Sequence, residues 1–364
     1  MNRFTGLLLR GCRRFLIKPR ALYYRVFKPR LYCRALSGKS GFNISVNADM
    51  SVSCTCQDYD GSGRLGDLST QTLQEIFDGP VARRFRETLA QGHAAIKVCF
   101  YCEELRHTSR GRSKHYLTHY TVPTFGIQVE NTAGCNLDCL LCDRDRHKRL
   151  LKRPQMSLAD VERVAETINT CGIKKMAFFK LGEPFLSPRV RDELTVLRQK
   201  NPGLFIWTST NGMLLKTEDK REAALLMDNV VFSIDGESNQ TLTKYQRGGS
   251  FDLAYRNMAD LVVSRNARGK TRPIIEWKYV LFDWNDGRDQ IDRAIQLAKE
   301  ADVDWLTFFP GSVEGVGRRY EHYWTHYVST VGVPLRERGV IYGWRICFHQ
   351  PSVAPMGEGG PEDA

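Results

Sequence analysis

From Thr124 onward the chain repeats one pattern: a short apolar strand, a loop, then an amphipathic helix. Six runs read as strands: "FGIQVE", "KMAFFK", "LFIWTST", "NVVFSI", "IIEWKYVLF" and "DWLTFF". After the first, "SLAD" (Ser157 to Asp160) has the form of a capping box, and Leu158, Val161, Val164, Ala165 and Ile168 follow at helical spacing. Later helices are expected at 187–200, 217–227, 251–264 and 287–301. Repeated strand–helix units specify parallel strands joined by crossover helices. Six strands are too few for a closed eightfold barrel, so the expected fold is α/β: an open, partial (β/α)6 TIM-like barrel. Function in such folds collects at the C-terminal ends of the strands.

The loop after the first strand reads "GCNLDCLLC" and places Cys135, Cys139 and Cys142 as C-x3-C-x2-C. Three thiolates in one loop can hold three irons of a 4Fe–4S cluster and leave the fourth without a protein ligand. An open coordination position is what a reactive metal centre needs, whereas structural sites are closed by four ligands. A zinc site, or incidental buried thiols, is the plainer alternative.

"CNLDCLLC" resembles the cluster motif of the radical S-adenosylmethionine (SAM) enzymes, and the resemblance extends from about 124 to 310. "KLGEPFL" is similar to that family's Gly-Gly-Glu-Pro segment, with Leu181 where the first glycine usually stands. The resemblance implies that Gly182, Glu183 and Pro184 hold the methionyl ammonium of SAM. It implies ribose and carboxylate contacts for Ser209 and Asn211 in "TSTNG", for Asp235 in "SIDG", and for Arg247 in "YQRGGSF". "TNG" and "DG" alone are ordinary turn signals; their place at successive strand ends gives them weight. The implied chemistry belongs to the cofactors. A reduced cluster splits SAM into methionine and a 5′-deoxyadenosyl radical, which takes a hydrogen atom from an unactivated C–H bond.

A second cysteine set lies upstream: Cys54 and Cys56, then Cys99 and Cys102. The stretch between them contains "LGDL" and one helical pattern, "STQTLQEIFDGPVARRFRETLAQG". It looks like the auxiliary-cluster extension (SPASM or twitch type) of radical SAM enzymes, placed before the barrel instead of after it. The implied ligands are Cys99, Cys102 and one or both of Cys54 and Cys56, with Cys33 or Cys347 as an outlying partner; zinc remains the alternative. Cys12 and Cys171 have no ligand partners in sequence.

The formal charge of +12 is concentrated at one end. Residues 1–36 carry ten basic side chains, from Arg3 to Arg34, and no acid, interleaved with aromatic residues. Such a leader suits an anionic membrane face; it also suits nucleic acid, though no nucleic-acid partner is expected. Pro19 and Pro29 interrupt a long amphipathic helix, and a solvated or docked arm is the plain alternative. Leu7, Leu8 and Leu9 are followed at once by Arg10, Arg13 and Arg14, which is a poor secretory signal. The expected location is therefore cytoplasmic, with peripheral contact at the inner membrane face, where eleven cysteines stay reduced.

Four regions are expected: a leader (1–36), a small cysteine-rich α+β module (37–110), the barrel core (120–315) and a C-terminal extension (316–364). "RHTSRGRSKH" reads as a charged, turn-like link between the module and the core. An auxiliary cluster can accept the electron left after hydrogen abstraction. The expected reaction is thus a two-electron oxidation of a sugar, cyclitol or lipid-linked saccharide, served by a flavodoxin- or ferredoxin-type donor. A peptide maturase and a non-catalytic electron carrier are the alternatives. His147, His322, Tyr323, His326 and Lys278 are candidates for proton transfer.

Overall fold

Helix and strand boundaries follow local chemistry closely in the computed structural model of the chain, which describes residues 30–311, 316–330, 332–337 and 340–349 together with Leu22, Val26 and Phe27. Most of the basic leader, with Cys12, lies outside the described residues. The described chain forms two compact units, one from residues 30–134 and 143–206, the other from 135–142 and 207–349.

The first unit holds the cysteine-rich module and the first two strand–helix repeats. β1 (Leu31–Cys33) pairs antiparallel with β5 (Leu105–His107). β2 (Ser45–Val46), β3 (Ser51–Ser53) and β4 (Arg64–Asp67) form an antiparallel meander. β2 also runs parallel to β6 (Gly126–Val129), and β6 runs parallel to β7 (Lys175–Phe178). Module and first repeat therefore share one sheet. The module's packing reaches back to Leu31, Tyr32, Ala35 and Leu36, all buried.

The single helical pattern expected after Ser69 is two helices, Leu73–Asp78 and Pro80–Ala90. Gly79 ends the first by donating its N–H to Ile76, and Pro80 opens the second, where a missing N–H costs nothing. The first begins with a capping box between Thr72 and Glu75. The link expected as a turn contains β5 and a helix, Arg110–Thr118. Ser109 caps that helix, and Tyr116 stacks on Tyr32 with ring centroids 4.4 Å apart. The Ser157–Asp160 capping box is present, and Val161, Val164, Ala165 and Ile168 are buried along the helix Leu158–Cys171.

In the second unit β8 (Phe205–Thr210), β9 (Asn229–Ser233), β10 (Ile274–Leu281) and β11 (Trp305–Pro310) lie side by side in chain order, all parallel. Helices Glu218–Ala224, Phe251–Ala267 and Arg288–Glu300 follow β8, β9 and β10. From β6 to β11 strand and helix alternate as the sequence predicts, giving the partial (β/α)6 class. The extension adds a hairpin, β12 (Gly332–Glu337) and β13 (Val340–Cys347), with β13 antiparallel to β11. Trp344 on β13 stacks on Phe308 at 4.8 Å and packs edge-on against Trp324 of the helix Trp324–Thr330, which covers this part of the sheet. No described helix is long and apolar enough to cross a membrane.

Candidate functional site

The cysteine loop leaves the end of β6 and is pinned by backbone bonds. The Asp138 N–H donates to the Arg247 carbonyl at 3.1 Å, and the Leu140 N–H to the Tyr245 carbonyl at 2.9 Å. Cys135 and Cys139 are half-buried and Cys142 is exposed. Donors converge on Cys135 Sγ: the Leu137 N–H at 3.4 Å and the Asn211 side-chain amide at 3.7 Å. Asn211 also donates to Asn136 Oδ1 at 3.0 Å. N–H groups aimed at sulfur favour the thiolate form, the form that ligates iron. Three accessible thiols in one braced loop fit a 4Fe–4S cluster with an open position.

Tyr245, which sequence reasoning passed over, belongs to this neighbourhood. Burial pushes its phenol well up, and the charges of Asp235, Cys139 and Cys142 push it further. Asp235 is buried, and that burial raises its carboxyl to about 6 despite the nearby Lys278 ammonium and a 3.0 Å hydrogen bond from the Val280 N–H. Ser209 is half-buried on β8. The Arg247 side chain is exposed, while its carbonyl serves the cysteine loop.

In the first unit, the segment after β7 is packed against the segment after β6. A Cβ on Gly182 would lie 1.8 Å from the Thr132 carbonyl oxygen, so only glycine fits. The Glu183 N–H donates to the Gly134 carbonyl at 2.7 Å, and Glu183 Oε1 accepts from the Phe185 N–H at 3.2 Å. Asn131 bridges the Pro184 carbonyl (3.1 Å) and Glu193 (2.8 Å). Beside it, Glu130 accepts from the Leu181 N–H at 3.2 Å and pairs with His147 at 2.8 Å. Burial alone would raise the Glu130 carboxyl, but the His147 hydrogen bond and the Lys180 ammonium hold it below its ordinary value. Lys180, lowered by burial, donates to Asn47 at 2.6 Å. Asn47, Glu130 and Asn131 carried no motif of their own, and Lys180 opened "KLGEPFL" without being singled out; their sequence signal is adjacency to the strand ends.

The proton-transfer candidates divide. His147 is buried against Glu130 and acts as a brace. His322 and His326 are exposed, and the Tyr323 hydroxyl donates to the Asp286 carbonyl. Lys278 lies on β10 among the second unit's strand ends.

The module gathers four thiols. Cys33, Cys54, Cys99 and Cys102 line one pocket whose other walls, Thr55 apart, are apolar and include Leu36, Phe85 and Leu89. Burial raises all four thiols, Cys102 to about 12, and the repulsion of neighbouring cysteines adds to Cys33, Cys54 and Cys102. Left to themselves these groups stay protonated; a cationic iron–sulfur centre would stabilise their thiolate forms and take them as ligands. Cys56 is not among the residues of that wall; its thiol donates to Asn43 Oδ1 at 3.4 Å, with Lys180 nearby. Cys347 pairs with Trp305 at the start of β11, the end opposite the functional loops, and is exposed. Cys33, not Cys347, is thus the outlying cysteine brought to Cys54, Cys99 and Cys102.

Comparison with known families settles the larger question. Residues 129–311 match the model of the radical SAM superfamily. The chain belongs to the radical SAM superfamily. Residues 33–103 match the SPASM model, an iron–sulfur cluster-binding domain, so this radical SAM chain carries its SPASM domain before the core. Its cofactors are SAM, the 4Fe–4S cluster of the core and an auxiliary iron–sulfur cluster. The radical SAM chain is 24% identical over 181 residues to a GTP 3′,8-cyclase of Chlorobaculum tepidum (strain ATCC 49652 / DSM 12025 / NBRC 103806 / TLS), a match spanning 49% of this chain and 51% of that relative. The chain thus spans about half the length of that curated relative. A structure of TYW1 with a lysine–pyruvate adduct bound is similar at 14% identity and TM-score 0.42, over 62% of this chain and 81% of that one. The structure of native anSMEcpe with bound AdoMet is similar at 17% identity and TM-score 0.39, over 54% of this chain and 53% of that one.

Proposed function

We propose that this radical SAM enzyme removes the equivalent of two hydrogen atoms from a small polar substrate: a sugar, a cyclitol or a lipid-linked saccharide. The cavity formed by Cys33, Cys54, Cys99 and Cys102 carries this reading. A chain that only generated radicals would need the core cluster alone; a second redox centre suits removal of a second electron. In this reading one hydrogen atom leaves with 5′-deoxyadenosine, one electron enters the auxiliary site, and one proton is released to a base.

When bound, the core cluster supplies a low-potential electron and an open iron at which SAM is cleaved. The chain's own residues do the rest. Cys135, Cys139 and Cys142 hold three irons, and Asn211 orients the Cys135 thiolate through its 3.7 Å contact. Gly182 lets the strand-end backbone lie against Thr132, so that Glu183 and neighbouring carbonyls meet the SAM ammonium. Ser209, Asp235 and Arg247 serve the ribose and carboxylate. Phe85, Leu89 and their neighbours keep water from the auxiliary site.

A flavodoxin- or ferredoxin-type protein supplies the electrons. The enzyme works in the cytoplasm, its basic leader lying on an anionic membrane face and bringing it to lipid-linked material. A second reading, ring closure on a phosphorylated nucleoside, is favoured by the relative whose name is GTP 3′,8-cyclase.

The test is anaerobic reconstitution followed by product analysis with saccharide and nucleotide substrates. An oxidised sugar formed in equal amount with 5′-deoxyadenosine supports the first reading; a cyclised nucleotide replaces it with the second.

A further inference from the structure

On β10, Trp277 and Tyr279 face the outer layer. Trp277 packs on Phe251 and Tyr255 of the preceding helix, each at 6.2 Å, and Tyr279 bonds Glu237 at 2.9 Å. Alternation then turns Glu276, Lys278 and Val280 to the inner face. Strand register places Ser233, Lys278, Thr307 and Arg345 in one row across β9, β10, β11 and β13.

The two cations of that row differ. Arg345 is fully engaged: it pairs with Glu276 at 3.1 Å, donates to Thr307 Oγ1 at 2.8 Å and lies 4.3 Å over the Trp305 ring. Lys278 is half-buried, and among the described residues its ammonium has no ion pair and no hydrogen bond. The neighbouring Asp235 carboxylate accepts from the Val280 N–H and forms no ion pair with Lys278. A partly desolvated ammonium without an anion is a net cost to the fold.

Aromatic surface adjoins this charge. Lys278 Nζ lies 5.8 Å from the Phe309 centroid, and Phe309 stacks on Tyr342 at 5.9 Å and 15°. The hairpin register shifts here, with Leu335 opposite Gly343 and Arg336 opposite Ile341. Gly343 meets Phe308 so closely that a Cβ there would lie 2.3 Å from its carbonyl oxygen, so this wall carries no further side chain at that point. Phe309 and Tyr342 are half-buried.

We propose that Lys278 is the anchor of a substrate subsite that takes an anionic oxygen group, phosphate or carboxylate, while the ring bearing that group packs on Phe309 and Tyr342. The subsite rests on the reading above that the substrate is a small ring-bearing polar molecule. Its residues are other than the SAM assignments: Lys278, Phe309 and Tyr342 lie on β10, β11 and the hairpin, with Asp235 the neighbour that the two sets share. The subsite names a feature the substrate must carry, and sugar phosphates and sugar acids both have it.

The experiment is calorimetric titration of the full chain, reconstituted and loaded with SAM, using glucose 1-phosphate, glucuronate and neutral methyl glucoside as probes. Both anions are expected to bind more tightly than the glucoside. Lys278→Met should lower affinity for the two anions by about 10- to 100-fold, the size of a lost charge-assisted contact, and leave the glucoside unchanged. Lys278→Arg should restore anion binding, and Phe309→Ala should weaken all three probes alike. Preference for one anion identifies phosphate or carboxylate as the group taken. Wild-type chain that does not prefer the anions, or Lys278→Met that binds them normally, overturns the subsite. So does a Lys278→Met chain whose SAM affinity falls while anion binding persists. Should Lys278→Met fail to fold, Lys278→Gln replaces it and is judged by the same two outcomes. Anions that bind through Lys278 but are never oxidised leave the subsite standing and remove the proposed reaction instead.

Discussion

The two cysteine sites are built in opposite ways. Cys135, Cys139 and Cys142 come from eight consecutive positions of one loop, and Cys142 is exposed. Cys33, Cys54, Cys99 and Cys102 come from a strand, a turn after a strand and a short helical turn, and they close on a dry cavity. The difference suits different work. A loop with three ligands and an open side admits a small molecule to iron. A cage with four ligands and apolar walls handles electrons and admits nothing. Local spacing makes the first site; tertiary topology makes the second.

The largest expected effect breaks the loop site alone. Replacing Cys135, Cys139 and Cys142 with Ala should remove one cluster's iron and reduce 5′-deoxyadenosine formation to background. Iron analysis and chromatography of the reaction check it; 5′-deoxyadenosine persisting in the triple variant would assign the active cluster elsewhere.

Next comes the cage. Cys99→Ala with Cys102→Ala should leave reductive SAM cleavage near the wild-type level, remove the auxiliary iron and stop substrate turnover. Cys33→Ser should behave in the same way, whereas Cys56→Ser should retain all of the iron. Equal iron loss in the Cys33 and Cys56 variants would mean that the cage is drawn from the wrong set.

A smaller effect tests the segment after β7. Gly182→Ala forces a methyl group into the Thr132 backbone, so the segment must shift. Overpacking of this kind costs about 1–3 kcal/mol, and SAM affinity should fall by roughly ten- to a hundredfold with iron content unchanged. Normal SAM binding in this variant would show that the segment after β7 does not hold SAM.

The smallest effect concerns pH. Burial raises the Asp235 carboxyl from 3.8 to about 6, so folding favours its protonated form. That preference contributes fully below the ordinary value and is lost as pH rises through about 6. Such a shift corresponds to about 3 kcal/mol, an upper bound for one buried group. Asp235→Asn should therefore stabilise the chain at pH near 8, and the gain should shrink toward about pH 5. Melting curves across that range check it; a gain independent of pH would mean that Asp235 is not ionised in the fold.

The loop site was legible because everything that makes it is contiguous. The strand before it, the cysteine spacing and the capping box after it all lie within residues 124–160. The strand order was legible for the same reason: each repeat carries its own periodicity. The cage was only half legible. Cys99 and Cys102 announce themselves by spacing, but Cys33 joins through the pairing of β1 with β5, a contact across more than seventy residues that no local pattern encodes. The helix Arg110–Thr118 was missed because its composition is mostly polar and lacks an apolar stripe, and only the Ser109 cap and the Tyr32–Tyr116 stack reveal it. The hairpin had a signal that was not used: "GVPLRERGVIYGWRIC" sets apolar runs on either side of a charged turn, with Pro334 on the outer strand, where a missing donor is tolerated.

The bonds from Asp138 to the Arg247 carbonyl and from Leu140 to the Tyr245 carbonyl are made by main chain on both sides. Main-chain bonds are indifferent to which side chains drift past them. Descendants of this chain are therefore free to exchange residues at 138, 140 and 245 while the cysteine loop keeps its footing, provided neither donor becomes proline; at 247 only the proposed SAM contact of the side chain holds the arginine. What cannot drift is length. An insertion or deletion between Ser233 and Arg247 would slide the two carbonyls out of register with the loop, and a lineage that tried to lengthen that stretch would lose its chemistry before it lost its fold.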